Sequence, residues 1–393
     1  MSINVTLNHV GTPIDRGVFE ALFEQSVVGG YAPVRKALAS GTMPFGDLVS
    51  MARKADIPYA LFFAPLDVVE EQLRVKQKRL LEGFSTKREF AIGSRHPVDL
   101  SKVELIVKNL QYKQDYLKRD KTLAKNSVVG ILEKPGTSLK ADASKLMKVC
   151  DLAPNELRGT KRKADALDLL VAKLEAQHVL VAQSAKNYMP QQMPKGASFS
   201  GLTLRDTKVP FIFIASGDEG EKFEPTGRRV FTLTLLAVLV ARRRFATVTY
   251  SGHTSDETSR REYDLASEIL MPEDDFRMAD LSDLDAIQAA SDDFKVTPSA
   301  VVMRGQRLKL FSREVAEVHL KALKDAYDTA EKTPRRAVLP MNALKKYNGA
   351  ECSRRMLALY DSGGLSTADF CRVMFSNTYR SERAINDFRA SLG

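Results

Sequence analysis

The stretch Val230-Phe-Thr-Leu-Thr-Leu-Leu-Ala-Val-Leu-Val-Ala241 is apolar apart from two threonines and stands mid-chain, closed by Arg228-Arg229 before it and Arg242-Arg243-Arg244 after it. Its twelve residues fall short of the roughly 20 needed to span a bilayer, so it is expected to be the most buried element of a soluble domain. Periodicity leaves its conformation open: β-branched residues favour strand, whereas length and Leu/Ala content favour helix. A chain of 393 residues, 44% hydrophobic and 27% charged, has room for two or three packed units around such an element. No hydrophobic signal segment follows Met1, and Cys150, Cys352 and Cys371 are too scattered for a disulfide framework. Both features point to a cytoplasmic, reducing setting and to no membrane. A net charge of +10 suggests a polyanionic or acidic partner.

The flanks of the apolar stretch carry a recognisable frame. Phe199-Ser-Gly-Leu202 resembles a Phe-Arg-Gly-Phe lead-in to a strand, and Val209-Pro-Phe-Ile-Phe-Ile-Ala-Ser-Gly-Asp218 resembles a Pro-x-Ile-x-Ile-Asn strand with an acidic turn. Arg228-Arg-Val-Phe-Thr-Leu233 resembles the approach to an Ala-His-Glu-Leu-x-His helix, and Leu265-Ala-Ser-Glu-Ile-Leu-Met-Pro272 a Phe-Ala-x-x-Leu-Leu-Met-Pro signature. Together these segments resemble the core of the ImmA/IrrE-type metallopeptidase family. The resemblance implies a small sheet against helices, with the apolar stretch as the active-site helix.

In that register the chemistry is missing. The family's first zinc histidine falls on Leu235, its general-base glutamate on Leu236 and its second histidine on Leu239. The third ligand, a carboxylate, falls near Ser259, with Glu257 and Glu262 close by. An H-E-x-x-H helix works because imidazoles at i and i+4 share a face and the glutamate polarises a zinc-bound water; leucine supplies no lone pair. The five histidines, His9, His96, His178, His253 and His319, and the three cysteines show no spacing of three or four residues among them. No metal or cofactor is therefore expected. Leucines in the vacated site contribute about 1.5–3 kcal/mol each if fully buried. The rival reading is a zinc metallopeptidase with relocated ligands, for example His253 with Asp256 and Glu257.

Upstream, residues 14–66 read as helices with short turns. Ala39-Ser-Gly-Thr-Met-Pro44 and the following Leu48 to Phe63 resemble the end of an Xre-like helix-turn-helix unit, which often precedes this peptidase core. The implied recognition helix runs over about 32–39, with Arg35 and Lys36 as candidate DNA contacts. The basic run Arg74-Val-Lys-Gln-Lys-Arg79 adds Arg74, Lys76, Lys78 and Arg79 as candidate phosphate contacts. A helix is expected over 100–112 and another over 166–174, with Leu167, Leu170, Val171 and Leu174 on one face. His178 reads as a strand-edge residue within Ala176-Gln-His-Val-Leu-Val-Ala182, and Pro210-Phe-Ile-Phe-Ile-Ala215 as a buried strand. Thr297-Pro298 fits an N-cap followed by proline in a helix-turn-helix over 284–303, Ser366 is expected to be an N-cap, and Cys352 and Cys371 inert packing residues.

The expected fold is α+β: a helix-turn-helix-like unit (1–66), a basic helical linker region (67–137), a degenerate zincin-like core (138–326) and a C-terminal helical cap (327–393), with a linker over 327–340. Family members include zinc proteases that cleave repressors, and fused forms that act as antitoxins beside toxins such as PIN-type nucleases. The resemblance with lost ligands implies a non-enzymatic regulator or antitoxin of bacterial or phage origin. Such a chain would bind a toxin, repressor or host or phage factor through the pseudo-peptidase body, and operator DNA through its N-terminal unit. The alternative of the same kind is an inhibitory binding protein acting between phage and host defence. Oligomeric state stays open.

Overall fold

The structure, a computed structural model, describes residues 2–24, 26–85, 91–92, 103–193, 199–215, 224–249, 257–329 and 338–393. The chain is α+β, with two small mixed sheets among helices, and divides into two compact units. The first comprises Met1–Gly83 and Val98–Gln111, and the second Phe84–Pro97 and Tyr112–Gly393.

The first unit begins with β1 (Ser2–Leu7) and β2 (Val10–Asp15), paired antiparallel from Ser2↔Asp15 to Leu7↔Val10. Asn8 and His9, both at positive φ, form the two-residue turn whose twist suits a hairpin. Asp15 then caps α1 (Arg16–Phe23), its side chain accepting from Gly17 N at 2.7 Å. Next come α2 (Ala32–Ser40), ended by Gly41 at φ 71°, and β3 (Thr42–Pro44), parallel to β1. Helices α3 (Phe45–Lys54) and α4 (Leu66–Leu81) follow, separated by a short 3-10 turn. Ile3, Val5 and Ile14 from the sheet bury against Val18, Phe19 and Phe23 of α1, with Phe62 4.5 Å from the Phe23 ring. The expectation of helices and turns alone over 14–66 is therefore corrected. Residues read as a turn before a helix pair with β1 instead, because Met43 is buried in the core of this unit.

The second unit is built on a five-stranded sheet of order β4-β8-β6-β7-β5. Its strands are β4 (Ala91–Ile92), β5 (Leu180–Gln183), β6 (Phe199–Leu204), β7 (Phe211–Ile214) and β8 (Thr247–Thr249). The β5–β7 and β4–β8 pairs are parallel, and β6 is antiparallel to both neighbours. The basic region 67–137, expected to be helical, thus contains a strand. Helix α5 (Glu104–Leu117) starts in residues of the first unit and ends in residues of the second. The remaining helices are α6 (Leu139–Val149), α7 (Lys163–Ala176), α8 (Thr226–Ala241), α9 (Glu257–Leu270), α10 (Glu273–Phe276), α11 (Leu284–Asp293), α12 (Pro298–Arg307), α13 (Arg313–Thr329), α14 (Pro340–Asn348), α15 (Ala350–Asp361), α16 (Thr367–Phe375) and α17 (Glu382–Ser391).

Local chemistry sets several of these boundaries. Thr297 caps α12 by accepting from Ala300 N at 3.2 Å with Pro298 at the first helical position, and Ser366 caps α16 by accepting from Asp369 N at 3.1 Å. His178 is not on a strand edge. It stands at φ 60° in the turn between α7 and β5. Most of 327–340, read as a linker, lies outside the described residues, and α13 extends into it as far as Thr329. Among the described residues no helix is long and apolar enough to cross a membrane.

Candidate functional site

Helix α8 passes through the middle of the second unit, packed against α7, α9, β6 and β7. The stretch whose periodicity left helix or strand open is a helix, and because it is covered on every side it needs no polar face. Every residue from Thr232 to Ala241 is buried. Thr234, the polar residue midway, donates to the Val230 carbonyl four residues back at 2.9 Å, which satisfies a hydroxyl that has no water. Close approach at two glycines seats the helix. A Cβ at Gly227 would stand 2.4 Å from the Val296 carbonyl, and one at Gly201 on β6 would stand 2.8 Å from Leu236 Cδ1 and 2.6 Å from the Phe213 carbonyl oxygen.

Leu235, Leu236 and Leu239, the positions matched to catalytic roles, are 1%, 0% and 0% exposed. They belong to one continuous apolar core with Ile212, Ile214, Leu265 and Ile269. The carboxylates of α9 beside it are committed to arginines. Glu262, 1% exposed, accepts from Arg244 Nη1 at 2.9 Å and lies 3.4 Å from Arg242 Nε. Asp264 pairs with Arg307 at 2.8 Å, and Glu268 with the buried Arg304. Glu262 stands three residues beyond the position matched to the third zinc ligand, and its oxygen is already held by two cations. The arginines that close α8 therefore have a structural use: Arg242 and Arg244 tie the end of α8 to α9 at Glu262. Arg242 also donates to the Leu132 carbonyl at 3.0 Å.

The alternative ligands His253 and Asp256 lie outside the described residues, as do the side chains of Glu257 and Ser259. Among the described residues no group of three or more His, Cys, Asp or Glu is arranged to hold a metal ion.

In the first unit, Arg35 and Lys36 are exposed on α2, which packs on β3 and α3, whereas α4 packs on α1. Of the α4 candidates, Arg74 pairs with Glu71 on the same helix and Lys76 with Glu104 at 2.9 Å; Lys78 and Arg79 are exposed. The whole unit holds eleven Lys and Arg against eleven Asp and Glu, so the chain's positive surplus belongs to the second unit.

Three buried ionisable groups in the second unit were not singled out from the sequence. Glu175, at the end of α7, accepts from Glu351 N at 3.2 Å and so caps the first turn of α15, while its Oε1 has no partner. Burial pushes its carboxyl up to about 7. Glu224, just before α8, accepts from Ser200 Oγ at 3.1 Å, and burial raises it to about 7 as well. Lys113 on α5 is fully buried with no hydrogen-bond partner, its Nζ 4.3 Å from the centre of the Tyr347 ring, and burial lowers it to about 8. Helical spacing carried a signal for this lysine, since Ile106, Leu110, Lys113 and Leu117 form one stripe. Cys352 is buried and its thiol is pushed up to about 12 by desolvation, which keeps it protonated and unreactive.

Helix α13 presents a surface of another kind. It buries only Ala316 fully, and Val315 and Val318, spaced i and i+3, face outward, with Val318 67% exposed. Leu310 just before it is also exposed. Apolar residues on a face that nothing among the described residues covers mark a protein-docking surface more often than a catalytic one. Comparison with family models, with curated proteins and with solved structures finds no match to this chain.

Proposed function

We propose that this chain is a non-catalytic regulator or antitoxin-like protein that works by binding another protein through its second unit. The observation that carries this reading is α8: Leu235, Leu236 and Leu239 stand fully buried where the ImmA/IrrE resemblance puts the ligands and base of a peptidase. The surrounding carboxylates are occupied by Arg244, Arg304 and Arg307, so what supports a binding role is a rigid, apolar interior beneath an outward-facing helix. Helix α13 supplies that helix. Its exposed valines provide apolar anchors for a partner protein, amid exposed charges of both signs.

The test is affinity capture of the full chain from its native host, followed by reconstitution with the recovered protein. A stoichiometric complex is expected, weakened at least tenfold by Val315→Glu/Val318→Glu while the far-ultraviolet circular dichroism spectrum is unchanged. A reconstituted partner that is cut by the chain, or a complex indifferent to the double substitution, would overturn the reading.

A further inference from the structure

We propose that the second unit binds nucleic acid through a surface formed by residues 118–126, the β6–β7 turn at 205–208 and the neighbouring start of α15. The first observation is where the charge lies. Once the balanced first unit is set aside, the second holds 48 Lys and Arg against 38 Asp and Glu. Many of its arginines are spent on buried or half-buried ion pairs, as around α9, but the cations of this surface are not. Arg119, Lys121, Lys125, Arg205 and Lys208 make no ion pair among the described residues, and the neighbouring Lys118 shares Asp115 and Asp206 at 3.3 Å each.

The segments are held together by backbone contacts and not by charge. Asn126 N donates to the Thr207 carbonyl at 2.8 Å, Asn126 Nδ2 to the Gln177 carbonyl at 2.8 Å, and Gln114 Nε2 to the Val209 carbonyl at 3.0 Å. The acids in these loops are used as turn formers. Asp120 accepts from Thr122 N and Oγ1 at 2.9 and 2.6 Å, and Asp206 from Lys208 N and Val209 N at 2.7 and 3.0 Å. Their oxygens are thus engaged by the backbone, while the cations extend outward. On α15, Arg355 borders them but is spent on Glu351 at 2.8 Å, so it lines the surface without adding a free cation.

Two features favour a nucleic acid over an acidic protein. The Arg119 guanidinium lies over the Tyr116 ring with its carbon 4.2 Å from the ring centre, a cation and π-face pair able to meet a phosphate and a base or sugar at once. No large exposed hydrophobic residue belongs to this surface, so it lacks the apolar anchors on which protein interfaces depend. Loop cations touching phosphates position a protein without reading sequence, so little sequence preference is expected.

The test is fluorescence anisotropy of the full chain with labelled random-sequence duplex and single-stranded DNA across a potassium chloride series. Binding to either probe is expected. The variant Lys121→Glu/Lys125→Glu/Arg205→Glu is expected to weaken it at least tenfold and to reduce the slope of log affinity against log salt by about 3, since each lost phosphate contact removes about 0.9. The variant Lys148→Glu/Lys161→Glu/Lys309→Glu, which makes the same charge change at exposed lysines of the second unit outside these segments, is expected to retain most of the affinity. Circular dichroism verifies that both are folded. No binding at low salt, equal weakening by the two variants, or equal competition by polyglutamate would each overturn the proposal.

Discussion

Leu236→Ala is expected to destabilise the second unit by about 2–5 kcal/mol, and Leu236→Glu to prevent it from folding. The leucine is completely buried, with Cδ1 directed at the backbone of Gly201. Truncation therefore leaves a hole between α8 and the sheet that neighbours packed on both sides can only partly close. The glutamate variant introduces the residue that the ImmA/IrrE resemblance would put at this position. Here it would enter an apolar core with no cation available, because Arg244 already serves Glu262. Burying an unpaired carboxylate costs several kcal/mol, a large part of the roughly 5–15 kcal/mol that holds a typical domain together. Urea unfolding followed by circular dichroism measures both variants. A Leu236→Glu protein as stable as the parent would mean that α8 borders a hydrated space and that the filled-site account is wrong.

Stability is expected to pass through a trough near pH 7 to 8. Glu175 and Glu224 both have folded values raised to about 7 by burial, above the ordinary 4.5. For such acids the native state holds its proton longer than the unfolded chain does. Their contribution is intact below about pH 4.5 and is lost as pH rises through 7, at a cost on the order of 3 kcal/mol for Glu175. Lys113 acts on the other side. Its folded value of about 8, against the ordinary 10.5, means that the buried cation burdens the fold below 8 and ceases to do so as pH rises towards 10.5. Glu175→Gln, which keeps an acceptor for Glu351 N, is expected to flatten the acidic limb. Lys113→Met is expected to raise stability throughout the neutral range and to remove the alkaline limb. Melting temperatures from pH 5 to 10 decide this. A curve that climbs from 5 to 7, unchanged by Glu175→Gln, would contradict the assignment.

The legible parts of the fold were those with local chemistry behind them. Thr297, Pro298 and Ser366 announced their helix starts because capping is settled within three residues, and β7 announced itself as a short apolar run. Helix α8 could not be identified by pattern, since an element buried on all sides has no polar face to impose a period. The β1–β2 hairpin was missed because Asn8-His9 lacks the glycine that normally advertises such a turn, although Ile3 and Val5 alternate inward as a strand requires. Strand β3 was hidden by its length: three residues, one of them buried, carry no periodicity. The positions of Leu235, Leu236 and Leu239 came from the resemblance; that Glu262 is held by Arg242 and Arg244 depends on the turn after α8, which no sequence spacing reveals. Glu175, Glu224 and Lys113 owe their character to segments distant in the chain, so only the stripe containing Lys113 offered a clue.

The most direct test of the account is the zinc content of the purified full-length protein, measured by elemental mass spectrometry after exposure to excess zinc and gel filtration. The account predicts far less than one zinc per chain, with no change on His253→Ala. One tightly held zinc per chain, lost in His253→Ala, would show a working metal centre and contradict it.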